Sequence, residues 1–246
     1  MEKKIVEWIK KYCSDNNITS LVVGISGGID SAVVSTLCCQ TGINTIVVSI
    51  PIKQKVDQLT RARKHYEWLS NRFTNVKFIE KDLTELFKFF EAEFFEDEKC
   101  ELSLANSKSR LRMMVLYQIS GAKKSIVVGT GNKIEDFGIG FFTKYGDGGV
   151  DISPIADLTK SEVRLLAKNL NIIEEIQLAK PTDGLWDDDK TDEDQIGATY
   201  EELEWAMNFD GEVQQLSQRQ IIVLEIYKKF HIKNLHKMIP IPIFKK

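Results

Sequence analysis

The stretch Gly24-Ile25-Ser26-Gly27-Gly28-Ile29-Asp30-Ser31 decides how this chain is read. It follows the apolar run Leu21-Val22-Val23 and precedes Ala32-Val33-Val34, which continues to Leu37. The order is strand, tight Ser/Gly turn, helix. Glycine lets a backbone turn sharply and approach a ligand closely. The exposed amides of such a turn, with those at the helix start, form a cradle for an anion. Ser26 and Ser31 add hydroxyl donors, and Asp30 is placed to hold a cation. The combination suits a polyphosphate carried with its metal. The plainer alternative is a Gly/Ser turn with a helix cap.

Two common phosphate loops do not match, because neither Gly-x4-Gly-Lys-Ser/Thr nor Gly-x-Gly-x-x-Gly is present. A Walker lysine grips the β- and γ-phosphates during γ-phosphoryl transfer, so its absence points to different chemistry. SGGIDS resembles the SGGxDS loop of the ATP pyrophosphatases. Those enzymes cleave ATP between the α- and β-phosphates, adenylate a substrate oxygen and release pyrophosphate.

With 246 residues, 43% of them hydrophobic, the chain has room for one large domain or two small ones. A formal net charge of −3 gives no general attraction to nucleic acid. Lys3 and Lys4 precede an amphipathic segment rather than a signal-peptide core, and no apolar run is long enough to span a membrane. The cysteines Cys13, Cys38, Cys39 and Cys100 form no Cys-x-x-Cys, and read as small buried hydrophobes of a reducing cytoplasm. With His65, His231 and His236 as the histidines, a zinc site is not expected.

Along the chain, Ile5, Trp8, Ile9 and Tyr12 mark a helix over 2–16. A strand over 20–25 and a helix over 29–40 follow. Thr45–Ile50 is a buried strand stopped by Pro51, and Val56, Leu59, Ala62, Tyr66 and Leu69 mark the next helix. Val76–Ile79 and Ser125–Val128 are further strands, with helices over 83–95 and 100–120 between them. A fifth strand is expected near Val150–Ser153. Strands alternating with helices predict an α/β fold, an open parallel sheet of about five strands with helices on both faces. Ligands bind such sheets beyond the carboxyl ends of the strands. SGGIDS, Pro51-Ile52 and Gly129-Thr130-Gly131-Asn132 all fall at that edge. Beyond it, a helix is expected over 159–178 with Thr159 as its cap, a polar turn-rich stretch over 181–190, and helices from Asp192 to about 230.

Other clusters carry candidate chemistry. Asn106 and Arg110 are four apart and share a helix face, while Arg112 points elsewhere; either arginine also reads as a solvated surface charge. Gly129-Thr130-Gly131-Asn132-Lys133-Ile134-Glu135-Asp136 is a strand end opening into a helix. Thr130 can reach an anion there, and Glu135 or Asp136 can give a metal its second carboxylate. Asp30 and Glu135, both near strand ends, fit that pattern, and both also suit a helix start for the macrodipole alone. Gly140-Phe141-Phe142-Thr143-Lys144-Tyr145-Gly146-Asp147-Gly148-Gly149-Val150-Asp151 reads as a shaped loop, whose aromatics face a planar ring or the core. Lys160 follows Thr159 at a helix start, an unfavourable place for a cation unless an anion is near.

Together SGGIDS, GTGNKIE, GFFTKYGDGGVD, LTKSEV, KPT and the terminal HK resemble ammonia-dependent NAD synthetase, in that family's order and over residues 1–240. The resemblance implies a Rossmann-like fold of the adenine nucleotide alpha hydrolase type. The nicotinate carboxylate of deamido-NAD attacks the α-phosphate of ATP, and ammonia then displaces AMP to leave NAD. It further implies that Gly24, Ile25, Ser26, Gly27, Gly28, Ile29, Asp30 and Ser31 bind the ATP phosphates, that Asp30 and Glu135 bind Mg²⁺, and that Thr130, Lys160 and Thr182 contact ATP. Arg110, Lys144, Asp151, His236 and Lys237 would contact deamido-NAD, and Asp147 would accept a proton from the attacking ammonium. Asp30, Lys160 and Asp147 are the catalytic set, and the family is homodimeric. The stretch 181–190 is expected to close over ATP and exclude water from the adenylate.

Between Glu135 and Phe141 this chain is one residue longer than the family spacing, so Glu135 and Asp136 both stay open as the metal ligand, with GNKIE favouring Glu135. Past Pro181-Thr182, the ligands of the following loop are unassigned. Glutamine-dependent relatives carry an amidohydrolase domain with a catalytic cysteine. Here the first strand begins near residue 20, so a single domain over 1–246 and free ammonia are expected, unless a separate glutaminase delivers it. The competing readings are another ATP pyrophosphatase, such as a GMP synthetase-like subunit or a tRNA-modifying thiolase, and a nucleotide-binding module without turnover.

Overall fold

The computed structural model describes residues 1–182 and 191–245. Its centre is a parallel sheet of four strands in the order β3-β2-β1-β4. These are β1 (Ser20–Gly24), β2 (Asn44–Ser49), β3 (Val76–Glu80) and β4 (Ile126–Val128). Val22 lies opposite Ile46 on one side and Val127 on the other, so β1 is fully internal. That explains its unbroken apolar run, since a parallel strand covered on both faces has no solvent side to mark with polar residues.

The period of two sorts β1 between two cores. Leu21 and Val23 pack with α1 (Glu2–Asp15), α2 (Ile29–Gln40) and α6 (Lys160–Asn169). Val22 points the other way, with Ile46, Val48 and Ile50, toward Val115, Leu116 and Ile119 of α5 (Glu101–Lys123). Residues Ser31 to Cys39 of α2 are all buried, so the helix that starts at the SGGIDS loop is held rigidly at the centre. The helix α3 (Val56–Ser70) covers the β2–β3 side, and α4 (Thr84–Ala92) follows β3.

The expected strand at Val150–Ser153 is reduced to one bridge, Val128 to Ile152. Pro154 follows directly and has no N–H to extend a ladder, while Gly148-Gly149 precede it without side chains to pack. The helix expected over 159–178 is two: α6 ends at Asn169, Asn171 takes φ 54°, and α7 spans Glu174–Gln177. Cys13, Cys38 and Cys39 are buried as expected, but Cys100 is exposed, its sulfur capping α5 by accepting from the Ser103 amide.

A third layer comes from α8 (Asp192–Ile196), α9 (Tyr200–Asn208) and α10 (Gln218–Met238). Their core includes Ile196, Tyr200, Leu203, Val223 and Leu224, closed over Ile134 and Ile139. Residues Ile134–Ile139 form a turn of π-helix. A π-turn holds one residue more than an α-turn, a local widening that could take up the extra residue expected between Glu135 and Phe141. No helix among the described residues is long and apolar enough to cross a membrane.

Candidate active site

A cleft of about 280 Å³ opens at the carboxyl ends of the strands, lined by every residue from Gly24 to Ser31. The loop is built from its own polar groups. The Ser26 amide donates to Ser31 Oγ at 3.3 Å, the Gly28 amide donates to Ser26 Oγ at 3.2 Å, and Ser31 Oγ donates to the Gly28 carbonyl at 3.0 Å. Gly27 has φ +83°, and a Cβ there would lie 2.4 Å from the Gln58 carbonyl oxygen. Both facts require glycine. From α3, Arg61 Nε also donates to the Gly27 carbonyl at 3.3 Å, so the loop is clamped from the side.

On the far wall, Lys160 joins two acids. Its Nζ is 2.7 Å from Asp30 Oδ2 and 2.9 Å from Glu135 Oε1, and its side chain is 2% exposed. Burial disfavours the ammonium, yet the charges of Asp30 and Glu135 outweigh it and hold the Lys160 pKa above its ordinary value. This meets the sequence argument that a cation at this helix start needs an anion nearby. Asn132, fully buried, donates from Nδ2 to Asp30 Oδ1 at 3.1 Å, while its own Oδ1 accepts from the Ile134 and Glu135 amides. Thr130 and Thr182 line the same cleft.

The two acids of the π-turn are treated differently. Glu135 joins Lys160 and Asp30, whereas Asp136 turns against Gly131, where a Cβ would lie 2.2 Å from its carboxylate oxygens. Burial first, then the charges of Glu135, Asp147 and Asp30, push the Asp136 pKa up to about 8.

The loop 140–151 supplies the third wall. Phe141, Gly146, Asp147, Gly149 and Val150 line the cleft. Asp147 Oδ1 accepts from Ser109 Oγ at 2.7 Å and from the Thr143 amide at 2.9 Å, and Thr143 Oγ1 donates to Asn106 at 2.7 Å. Arg110, Lys144, His236 and Lys237 do not line this cleft; they bond with one another's segments beside the loop 140–151. Arg110 Nε donates to the Lys144 carbonyl at 3.3 Å, Lys144 Nζ to the His236 carbonyl at 2.7 Å, and Lys237 Nζ to the Phe142 carbonyl at 2.8 Å. Asp151 stands apart: its carboxylate accepts from Tyr117 Oη at 3.0 Å and from the Val127 amide at 2.7 Å, beneath the edge of the sheet.

A sequence-family model described as NAD synthase matches residues 1–246. The chain belongs to the NAD synthase family. An NH(3)-dependent NAD(+) synthetase of Alkaliphilus metalliredigens is 37% identical, over 98% of this chain and 96% of its own length. Among solved structures, an NMN synthetase from Francisella tularensis matches with TM-score 0.88 and 32% identity, over 100% of this chain and 97% of its own. An NH3-dependent NAD synthetase from Campylobacter jejuni matches with TM-score 0.79 and 26% identity, over 99% and 97%.

In this NAD synthase family member several pocket residues escape a reading by motif. Arg112, expected to point away, lines the cleft and donates from Nε to the Ile50 carbonyl at 3.0 Å, while its neighbour Arg110 sits at the exposed rim. The reach of its side chain and the turn of α5 over β2, not helical spacing from Arg110, decide this. Ser109 also lines the cleft without belonging to any motif string, and Asn132 of the GTGN string, to which the motif gives no role, supports Asp30 from beneath the lining. Of the stretch 181–190 expected to close, all beyond Thr182 lies outside the described residues; the Asp192 amide donates to the Pro181 carbonyl at 3.1 Å.

Proposed function

We infer that this chain is a ligase forming a C–N bond: it amidates the nicotinate carboxylate of deamido-NAD with ammonia, using ATP and releasing AMP and pyrophosphate. The observation that carries this reading is the convergence of the SGGIDS loop, the Asp30–Lys160–Glu135 cluster and Asp147 in one cleft. A binding module without turnover has no use for a buried lysine held between two acids at a phosphate cradle.

Asp30 and Glu135 would hold Mg²⁺. The Lys160 ammonium already lies between their oxygens, so two hard donors face one cationic point, and Mg²⁺ takes such carboxylates together with phosphate oxygens. Bound with ATP, the ion would neutralise charge on the departing pyrophosphate.

The chain's own residues supply the rest. The loop amides and Lys160 meet the phosphate charge where it grows in the transition state. The acceptor's carboxylate oxygen attacks the α-phosphorus; that P–O bond forms, the bond to the bridging oxygen breaks, and pyrophosphate leaves with the electron pair. Ammonia then attacks the activated carbonyl carbon, AMP departs, and Asp147 takes the proton from nitrogen. Positioning rather than a protein nucleophile drives the first step. Thr130 and Thr182 contact ATP, and Arg110, Lys144, Asp151, His236 and Lys237 bind the acceptor from the rim and the loop beside it.

We take the chain as one domain over 1–246, because the α9–α10 core encloses the Ile134 and Ile139 that flank Glu135's turn. A homodimer follows from the family resemblance alone. A cytoplasmic location is supported by the buried thiols of Cys13, Cys38 and Cys39.

A second reading changes only the acceptor. The Francisella tularensis match, at TM-score 0.88 over the whole chain, is named an NMN synthetase, which points to the nicotinate mononucleotide half of deamido-NAD. One experiment separates the two: pyrophosphate and AMP release by the purified chain with ATP and ammonium, offered either acceptor. Faster turnover of deamido-NAD supports the first reading, and of the mononucleotide the second. Release with neither overturns both, and turnover with glutamine matching that with ammonium overturns the ammonia assignment.

A further inference from the structure

Tyr200 carries no motif, yet it touches the centre of the site. It is the first residue of α9 and is fully buried. Thr199 caps the helix by accepting from the Glu202 amide, and the Tyr200 amide donates to Glu193 Oε1 at 3.0 Å, so the backbone at this point is fixed. The phenol oxygen lies 2.6 Å from Glu135 Oε1 and 3.2 Å from Asp192 Oδ2. The Lys160 ammonium stands 4.6 Å from the ring centroid. A hydroxyl has one proton, and the shorter contact to Glu135 takes it.

Two donors therefore converge on the same oxygen of Glu135, the Tyr200 hydroxyl and the Lys160 ammonium. The last torsion of a glutamate is broad, so an unrestrained carboxylate rotates easily. With Oε1 engaged from both sides, that rotation is stopped, and the carboxylate is presented to the cleft that Glu135 lines in one orientation. We propose that Tyr200 is a positioning residue, whose hydroxyl orients the Glu135 carboxylate for the divalent cation that arrives with ATP. The inference rests on the reading that Asp30 and Glu135 hold that cation. Groups that orient metal-ligating carboxylates commonly change metal affinity ten- to a hundredfold when removed.

The test is Mn²⁺ binding with a non-hydrolysable ATP analogue, followed by the electron paramagnetic resonance of free Mn²⁺. Wild type, Asp30→Asn, Glu135→Gln, Tyr200→Phe and the Glu135→Gln/Tyr200→Phe double variant are compared, with analogue binding in EDTA as a control. Tyr200→Phe keeps the ring and loses only the hydroxyl. It is expected to weaken Mn²⁺ about tenfold while leaving analogue binding in EDTA unchanged. The double variant is expected to bind Mn²⁺ no worse than Glu135→Gln alone, because the hydroxyl acts through that carboxylate. Wild-type Mn²⁺ affinity in Tyr200→Phe, beside a clear loss in Glu135→Gln, would overturn the role of Tyr200 alone. Equal loss of analogue binding in EDTA, or an additive double variant, would make the role merely structural. Unchanged Mn²⁺ binding in both Asp30→Asn and Glu135→Gln would overturn the metal assignment, and the positioning role with it.

Discussion

Lys160 Nζ lies 2.7 Å from Asp30 Oδ2, joining two residues 130 positions apart in the chain. The contact ties the first turn of α6 to the first turn of α2, directly after the SGGIDS loop. Asp30 is thus no loop residue facing solvent. It lies in a helix and its side chain is 19% exposed.

Asp30→Ala leaves the ammonium with Glu135 alone. We expect ATP-dependent pyrophosphate release to fall at least a hundredfold. Stability is expected to fall on the order of 2 kcal/mol, because a buried charge loses one of its partners. Urea unfolding and a pyrophosphate assay on the same preparation check both, and near-normal turnover would remove Asp30 from the metal site.

Lys160→Met keeps an unbranched chain, one atom shorter, and deletes its charge. The adenylation step is expected to slow a hundred- to a thousandfold, the usual loss for one donor at a developing anion. The KM for deamido-NAD is expected to stay within about twofold, because only transition-state stabilisation is removed. Single-turnover measurement of pyrophosphate isolates that step. A change confined to acceptor affinity would contradict the assignment of Lys160 to ATP.

The two arginines of α5 are expected to separate. Arg112→Ala acts inside the cleft and is expected to raise the KM for ATP, whereas Arg110→Ala acts at the rim beside Lys144 and is expected to raise that for the acceptor. Loss of a charged hydrogen bond corresponds to roughly tenfold in each case. Steady-state kinetics with one substrate varied at a time decide it, and the reverse pattern would exchange the two roles.

Gly27→Ala places a methyl 2.4 Å from the Gln58 carbonyl oxygen on a backbone with φ +83°. The left-handed conformation alone costs about 1–2 kcal/mol for a residue with a side chain. Either the loop or α3 must move, so ATP affinity and melting temperature are expected to fall together. Calorimetry of ATP binding beside a thermal melt checks this, and an unaltered variant would show that the loop tolerates another conformation.

His65 offers a pH test away from the cleft, whose lining it does not join. Its Nε2 shares a 2.9 Å hydrogen bond with Ser35 Oγ, and burial pulls its pKa down from 6.5 to about 4. Between those values the unfolded chain binds a proton that the folded chain refuses. Stability therefore falls as pH drops through that window, by about 2 kcal/mol between pH 7 and 5 from this group. Urea unfolding at both pH values, compared with His65→Gln, isolates the effect. An equal pH dependence in the variant would show that His65 contributes none of it.

The α/β class, the strand-loop-helix at 20–40, the placement of SGGIDS, Pro51-Ile52 and the Thr130 turn on one edge, and the need of Lys160 for a nearby anion were legible, because each rests on local chemistry. Glycine at a turn, apolar runs in strands and an unpaired cation at a helix start all act over a few residues. The fifth strand was not legible, since Val150–Ser153 has strand-like residues and fails only because its flanks, Gly148-Gly149 and Pro154, cannot extend a ladder. GNKIE favoured Glu135 over Asp136, but the different surroundings of the two acids were not legible, because a π-turn rotates both relative to an ordinary helix.

The sequence by itself determined that a tight Ser/Gly turn into a helix follows an internal parallel strand, and that this chain carries the residue strings of the NAD synthase family. Only the tertiary structure decided which side chains complete the site. Tyr200 reaches Glu135 across 65 positions, and Arg112 reaches the Ile50 carbonyl across 62. Such contacts depend on how helices pack over the sheet, and no local preference of either residue records them.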